Sequence, residues 1–341
     1  MSLKEFKILK DLCFIQSPSN FEELLIAYIE SFNFKNFHFK KTKKNSCYYY
    51  NKNTIKDAKT IMFDAHIDQV HLRVVNIVES DGVGYVMAVS VGFDPIVLNG
   101  NSVVHINSKM KGNIVTIPPH LNIPPQYTKG SIVCIDFGMS VDETKDMIMM
   151  GDAIVFNLEW YQMNNKYIVS SGLDNKVSAF TLLKTLEWLD SNIEKLAVNI
   201  YFNFSSREEI GLGSYAPLLY KDFDEIVVLD TEIATDNQYI SKNLVGRILL
   251  DKGIVITHNY DDDRILSEKF SKFCDENKID YQETFSAEFG NSNLQTYSKF
   301  NEAYTQFIGI PLRNMHSPTE IVSMHDLRES YKFVCKYVCV K

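Results

Sequence analysis

In the stretch MFDAHIDQV an imidazole and a carboxylate, His66 and Asp68, stand two residues apart at the end of an apolar run. The run reads as a strand, and a strand turns successive side chains to opposite faces. Both groups therefore leave on one side and can address a single object. A metal ion is such an object, provided the rest of the chain supplies more ligands. The candidates are Asp174 in SSGLDNKVSAF, Glu208 and Glu209 in SSREEIGLGS, Asp230 in EIVVLD and His316 in IPLRNMHSPTE.

Taken singly, each has a plain structural reading. Asp174 follows a strand and opens a helix, where Asp is a favoured N-cap. Ser206 with Glu209 has the spacing of a capping box, and Asp230 can simply begin a turn. Taken together they say more. His66, Asp174, Glu208, Glu209 and Asp230 all fall at or just beyond the carboxyl ends of expected strands, the edge at which open α/β sheets bind ligands. His316 arrives from a loop. So many carboxylates at one edge repel one another unless cations lie between them. Two divalent ions resolve that conflict, and imidazole with carboxylate ligands suits zinc, with cobalt or manganese as alternatives. Two ions about 3.5–4 Å apart can hold a bridging water, acidify it and polarise a carbonyl. A free carboxylate beside them is placed to take the water proton. His71, His105, His120, His258 and His325 lack an acidic partner at suggestive spacing or fall in a helix turn, and are read as structural.

The elements that must position these residues are legible from periodicity. SPSNFEELLIAYIESF opens with Ser and Asn cap candidates and repeats apolar residues at helical spacing. Alternating aromatics in FNFKNFHFKKTKKNSCYYY predict strands around a basic turn, whose lysines at 40, 41, 43 and 44 are read as a solvated tip. From 72 to 162, short β-branched runs broken by Gly, Pro and Asn predict an inserted small β-barrel or sandwich. After it, strands alternate with helices, including VSAFTLLKTLEWLDS and the closing HDLRESYKFVCKYV, which predicts an α/β layer with helices on both faces. The expected division is 1–71 with 163–341 as one catalytic domain and 72–162 as the insert. GLGSYA at 211–216 matches a dinucleotide fingerprint, but SREEI separates it from its strand and Pro217 interrupts the helix that should follow.

Bulk properties narrow the class. The 341 residues are 45% hydrophobic, enough for a large core, and the net charge of −8 argues against a nucleic-acid backbone or anionic membrane as main partner. No apolar run approaches the ~18 residues of a membrane span, and the opening MSLKEFKILKDLCF is too charged for a signal peptide, so a cytoplasmic location is expected. The six cysteines show no metal-knuckle or disulfide spacing and are read as reduced core residues.

The blocks SPSNFEE, AHIDQV, VGFDPIVLNG, IPPH, IDFGMS, LDNKVSAF, EEIGLGS, LDTEIATD and IPLRNMHSPTE, in this order, resemble the cytosolic dinuclear-metal aminopeptidases of the glutamyl aminopeptidase and cellulase-M-like group, the TET-type peptidases. The resemblance implies a zinc-peptidase (phosphorylase/hydrolase-like) α/β fold with an inserted β-barrel that helps assemble a hollow homo-oligomer such as a dodecamer. It implies two divalent metal ions, zinc foremost, bridged by Asp174, with His66 and Asp230 on one and Glu209 and His316 on the other. Glu208 would be the general base and Asp68 the partner that orients His66. Short peptides, cleaved at the N-terminal residue, are the implied substrates. Two departures stand out: Gln69 replaces the acid that usually follows the HxD pair, and Phe289-Gly290-Asn291-Ser292-Asn293 replaces a GGTDA motif. Losing an acid near the cleft is expected to bear on substrate preference and assembly. An endoglucanase-type glycoside hydrolase and a metal-binding scaffold without turnover are the alternative readings.

Overall fold

The computed structural model describes residues 3–121, 132–213, 216–219, 221–241, 246–285 and 292–340. Strands β1 (Phe37–Lys41) and β2 (Cys47–Asn51) form the expected hairpin, its four lysines exposed, and β3 (Thr60–His66) follows. β4 (His71–Ser80), β5 (Val83–Val91), β6 (Ser102–His105), β7 (Lys111–Ile114), β8 (Ile132–Asp136) and β9 (Ala153–Phe156) close a barrel in the order β4-β5-β8-β7-β6-β9. The chain then returns through β10 (Trp160–Met163), β11 (Tyr167–Ser170), β12 (Asn199–Ser205), β13 (Glu225–Ile233), β14 (Ile254–Thr257), β15 (Tyr281–Thr284), β16 (Tyr304–Arg313) and β17 (Glu320–Ser323). The large sheet runs β1-β2-β12-β3-β13-β16-β17-β11-β10, with β14 and β15 attached at β16. β12, β3, β13 and β16 are mutually parallel.

Among the described residues the α-helices are α1 (Lys7–Phe14), α2 (Glu23–Glu30), α3 (Val141–Met147), α4 (Leu173–Ser191), α5 (Arg264–Asn277), α6 (Asn293–Phe300) and α7 (Met324–Tyr337). α1 was not anticipated from its charge-rich sequence. Its Leu9, Leu12 and Cys13 are buried at helical spacing, and tertiary packing of that stripe holds so short a helix. All six cysteines are free, four of them buried.

Strand parity fixes what each face of the sheet does. Ile61, Phe63 and Ala65 of β3, Val227 and Leu229 of β13, and Ile308, Ile310 and Leu312 of β16 join a core with α1, α2, α4, α5 and α7. The alternate residues Met62, Ile226, Val228 and Phe307 join a second cluster with Leu294 and Tyr297 of α6. Both faces are covered, so the central strands read as continuous apolar runs. His66 and Asp230 have the parity of the α6 face. The β3–β13 register pairs Asp64 with Val228, and two further residues bring His66 and Asp230 side by side.

Candidate metal centre

Each candidate reaches the centre from the end of an element. His66 ends β3, Asp230 lies near the end of β13, and Glu208 and Glu209 open a 3₁₀ turn three residues after β12. Asp174 lies at the start of α4, where φ/ψ at 174 and 175 are not helical and the Asp174–Asn175 peptide is cis. It is therefore no N-cap: Gly172 holds that position at φ +69, and a Cβ there would lie 3.2 Å from Gln69 Oε1. The capping box expected of Ser206 and Glu209 does not form either, because the Ser206 hydroxyl is taken by the Lys44 carbonyl and Ser46.

The geometry centres on Asp174. Its Oδ1 is 3.2 Å from His66 Nε2 and its Oδ2 3.2 Å from His316 Nε2. Asp230 Oδ1 lies 3.4 Å from His66 Nε2, and Glu209 Oε2 3.5 Å from His316 Nε2. Two groups of metal-ligating size result, His66–Asp174–Asp230 and Asp174–Glu209–His316, each with its donor atoms within 4.8 Å of one another. Glu208 belongs to neither, yet its Oε2 reaches to 4.0 Å from His66 Nε2. His66 Nδ1 is 3.1 Å from the Asp68 carbonyl oxygen and donates to it, which leaves Nε2 turned toward the candidate carboxylates.

Charge makes the same point. In the metal-free chain burial works against an imidazolium at His66, yet Asp230, Asp174 and Asp68 hold its pKa well above the usual value; Asp174 and Glu209 raise His316 to about 10 against the same burial. Burial, with Asp230, Asp68 and Asp174 adding to it, pushes Glu208 up to about 8. Burial likewise raises Glu209 well above the carboxylate range. Protons thus stand where cations are wanted. Asp174 Oδ1 and Glu209 Oε1 are buried and accept no hydrogen bond from the described residues, an orphaning that a bound ion using the lone pairs would relieve. The donor set fits two divalent ions.

Asp68 does more than its expected role. Its carboxylate is 3.5 Å from His66 Nδ1, farther than its own carbonyl, and instead accepts the N–H of Glu208 (3.1 Å) and of Glu209 (3.3 Å) and the Ser19 hydroxyl (2.6 Å). Neither serine of the block caps the helix: Ser17 donates to the Ile67 carbonyl and Ser19 to Asp68, and α2 begins at Glu23 with no side-chain cap. Three of the histidines read as structural pair with acids remote along the chain, His105 at 3.0 Å from Asp152, His325 at 2.9 Å from Asp280 and His258 at 3.6 Å from Glu283, partners that sequence spacing does not reveal.

Gln69 does not face the cleft. It is buried, and its Oε1 accepts the Ser17 N–H (3.1 Å) and the ammonium of buried Lys176 (2.6 Å). Of the second departure, Phe289, Gly290 and Asn291 lie outside the described residues; Asn293 donates to Asp64 (2.9 Å) and Ser205 (2.8 Å) beneath the site. Burial lowers the Lys176 pKa to about 8, below the ~10.4 of an unfolded lysine. The folded chain then binds fewer protons than the unfolded one between those values, and this group adds stability as pH rises through that window. Gln69→Glu supplies a counter-charge, so thermal melts of the metal-free chain should show that rise flattened.

The two ligand groups open on a cavity of about 520 Å³ lined also by Glu232, Asp261, Leu294, Gln295, Phe307 and Met315. Gly92 leaves it open, since a Cβ there would lie 3.1 Å from Glu209 Oε2.

A family model described as M42 glutamyl aminopeptidase matches residues 46–333. Glutamyl aminopeptidase of Lactococcus lactis is 29% identical over 168 residues, 46% of this chain and 46% of that protein, so the match spans about half of that relative's length. The aminopeptidase of the archaeon Desulfurococcus kamchatkensis superposes with a TM-score of 0.88 at 23% identity, covering 99% of this chain and 95% of that one. The TET1 peptidase of Pyrococcus horikoshii, described as assembling into a tetrahedron or a large octahedral shell, superposes with a TM-score of 0.84 at 22% identity, covering 98% and 99%.

Proposed function

The chain belongs to the M42 glutamyl aminopeptidase family, and from that premise we propose that it is a dinuclear metal-dependent aminopeptidase releasing N-terminal residues from short peptides. The observation that carries this reading is Asp174, whose two carboxylate oxygens each face a different imidazole at 3.2 Å, with Glu208 beside them but outside both ligand groups. Asp174 would bridge two divalent ions, His66 and Asp230 completing one, Glu209 and His316 the other. When bound, the ions supply Lewis acidity toward the scissile carbonyl and acidify the attacking water.

The chain's own groups do the rest. Adjacent in sequence, Glu208 and Glu209 diverge: Glu209 turns to His316, and Glu208 lines the cavity near His66. Asp68, by accepting both backbone N–H groups, fixes that divergence. Glu208 then removes the water proton and passes it to the leaving amine. Zinc is the expected ion, with cobalt or manganese as substitutes.

The wider reading keeps 1–71 with 163–341 as the catalytic part and 72–162 as an insert for assembly and substrate access. The barrel closing on itself between His71 and Phe156 supports it. We carry a cytoplasmic homo-oligomer such as a dodecamer as part of this proposal, supported by the likeness to a shell-forming peptidase. No helix among the described residues is long and apolar enough to cross a membrane.

The test is a panel of aminoacyl chromogenic substrates and short peptides, assayed on protein of measured metal content with and without chelator. Release of N-terminal residues that chelator stops and zinc or cobalt restores is expected. Chelator-resistant cleavage of a β-glucan would favour the glycosidase alternative, and two bound ions with no product from any peptide the scaffold.

A further inference from the structure

Glu320 has no role in the reading above, yet it lies directly beneath it. It opens β17, where its backbone pairs with Ser170 at the end of β11, so its side chain departs from a fixed sheet position. The residue is 1% exposed. Its Oε2 accepts the N–H of Leu173 (2.7 Å) and of Asp174 (3.3 Å), and its Oε1 accepts the N–H of His316 (2.8 Å).

Those three donors have no simple alternative. Leu173 and Asp174 begin α4, and the first N–H groups of a helix find no partner within it. Gly172 at the N-cap has no side chain with which to cap them. His316 sits at φ +59, a left-handed conformation unfavourable for a residue with a Cβ, so its loop needs an outside tether. One carboxylate serves both segments, and both carry ligands of the same candidate ion.

We propose that Glu320 is a positioning residue that clamps the Asp174 turn to the His316 loop, making the ion held by Asp174, Glu209 and His316 depend on it more than the ion held by His66, Asp174 and Asp230. His66 and Asp230 are set by β3 and β13, which Glu320 does not touch through any of these bonds. The inference rests on the two-ion reading and adds an order of ion loss to it.

The test is Glu320→Gln. A glutamine keeps the volume and one acceptor oxygen, but its amide nitrogen cannot accept; with the oxygen kept on the two N–H groups of Leu173 and Asp174, the single N–H of His316 is released. Calorimetric titration of metal-free protein with cobalt should show two sites in the wild type. In the variant, one site should keep its affinity while the other weakens by about 10–100-fold. kcat should fall with occupancy of the weak site and recover as cobalt is raised, while the metal-free melting temperature stays within a few degrees of wild type. Equal weakening of both sites, or two wild-type affinities, overturns the clamp and leaves the two-ion reading standing. A wild-type chain that takes up only one ion overturns both. A second measurement needs no variant: in the metal-free wild type, the Leu173 and His316 amides should exchange with solvent slowly, and rapid exchange of either contradicts the clamp.

Discussion

Replacing Glu208 with Gln is expected to lower kcat by about 10²–10⁴-fold, the range of a lost general base, while bound divalent metal stays at its wild-type content. The two outcomes separate because Glu208 belongs to neither ligand group and reaches only to 4.0 Å from His66 Nε2. The amide matches the carboxylate in shape and leaves the Glu208 N–H on Asp68 in place, but it cannot take a proton. Steady-state kinetics on protein of measured metal content decides this. A variant that turns over at the wild-type rate places the base elsewhere, and a variant that loses metal makes Glu208 a ligand.

Asp174→Ala is expected to be broader in effect: both ions bind weakly and turnover falls to background, because both candidate ligand groups share this one side chain. The metal-free chain should also respond in a pH-dependent way. Asp174 is held well below the usual carboxylate range: burial opposes this, but the His316 and His66 imidazoles outweigh it. Its stabilising contribution is present above the unfolded aspartate value of about 3.9 and lost as pH falls further. His316, raised to about 10, contributes fully below the unfolded histidine value near 6.5, and that contribution is lost as pH rises through about 10. The variant should therefore be most destabilised, relative to metal-free wild type, between about pH 4 and 6.5, and least so above pH 10. Thermal melts of the two metal-free proteins across pH measure the difference. A gap that widens toward alkaline pH contradicts the pairing.

The sequence carried the site candidates because strand ends are visible in it. TIMFDAH and EIVVLD show His66 and Asp230 near the carboxyl ends of their strands, but runs apolar on both faces hide which face each side chain takes; the parallel register of β3 and β13 supplies that. His316 was legible only as a histidine in a loop, and its placement depends on Glu320, whose role no local pattern announces. An acid four residues after a candidate loop ligand is the one signal that could have suggested it. Ser19, Asp152, Glu283 and Asp280 were missed for the same reason: their partners are remote along the chain, and spacing reports only neighbours. Gln69 misled in the opposite direction. Its place beside HxD suggested the cleft, but the side chain enters the interior to meet Lys176. Helix α1 was hidden because its buried stripe is only three residues wide.

The central claim is that Asp174 bridges two cations. Anomalous X-ray diffraction from crystals of the zinc-loaded protein, collected at the zinc edge, tests it most directly. Two peaks are predicted, one in contact with His66, Asp174 and Asp230 and the other with Asp174, Glu209 and His316. A single peak, or zinc bound away from Asp174, would contradict the account.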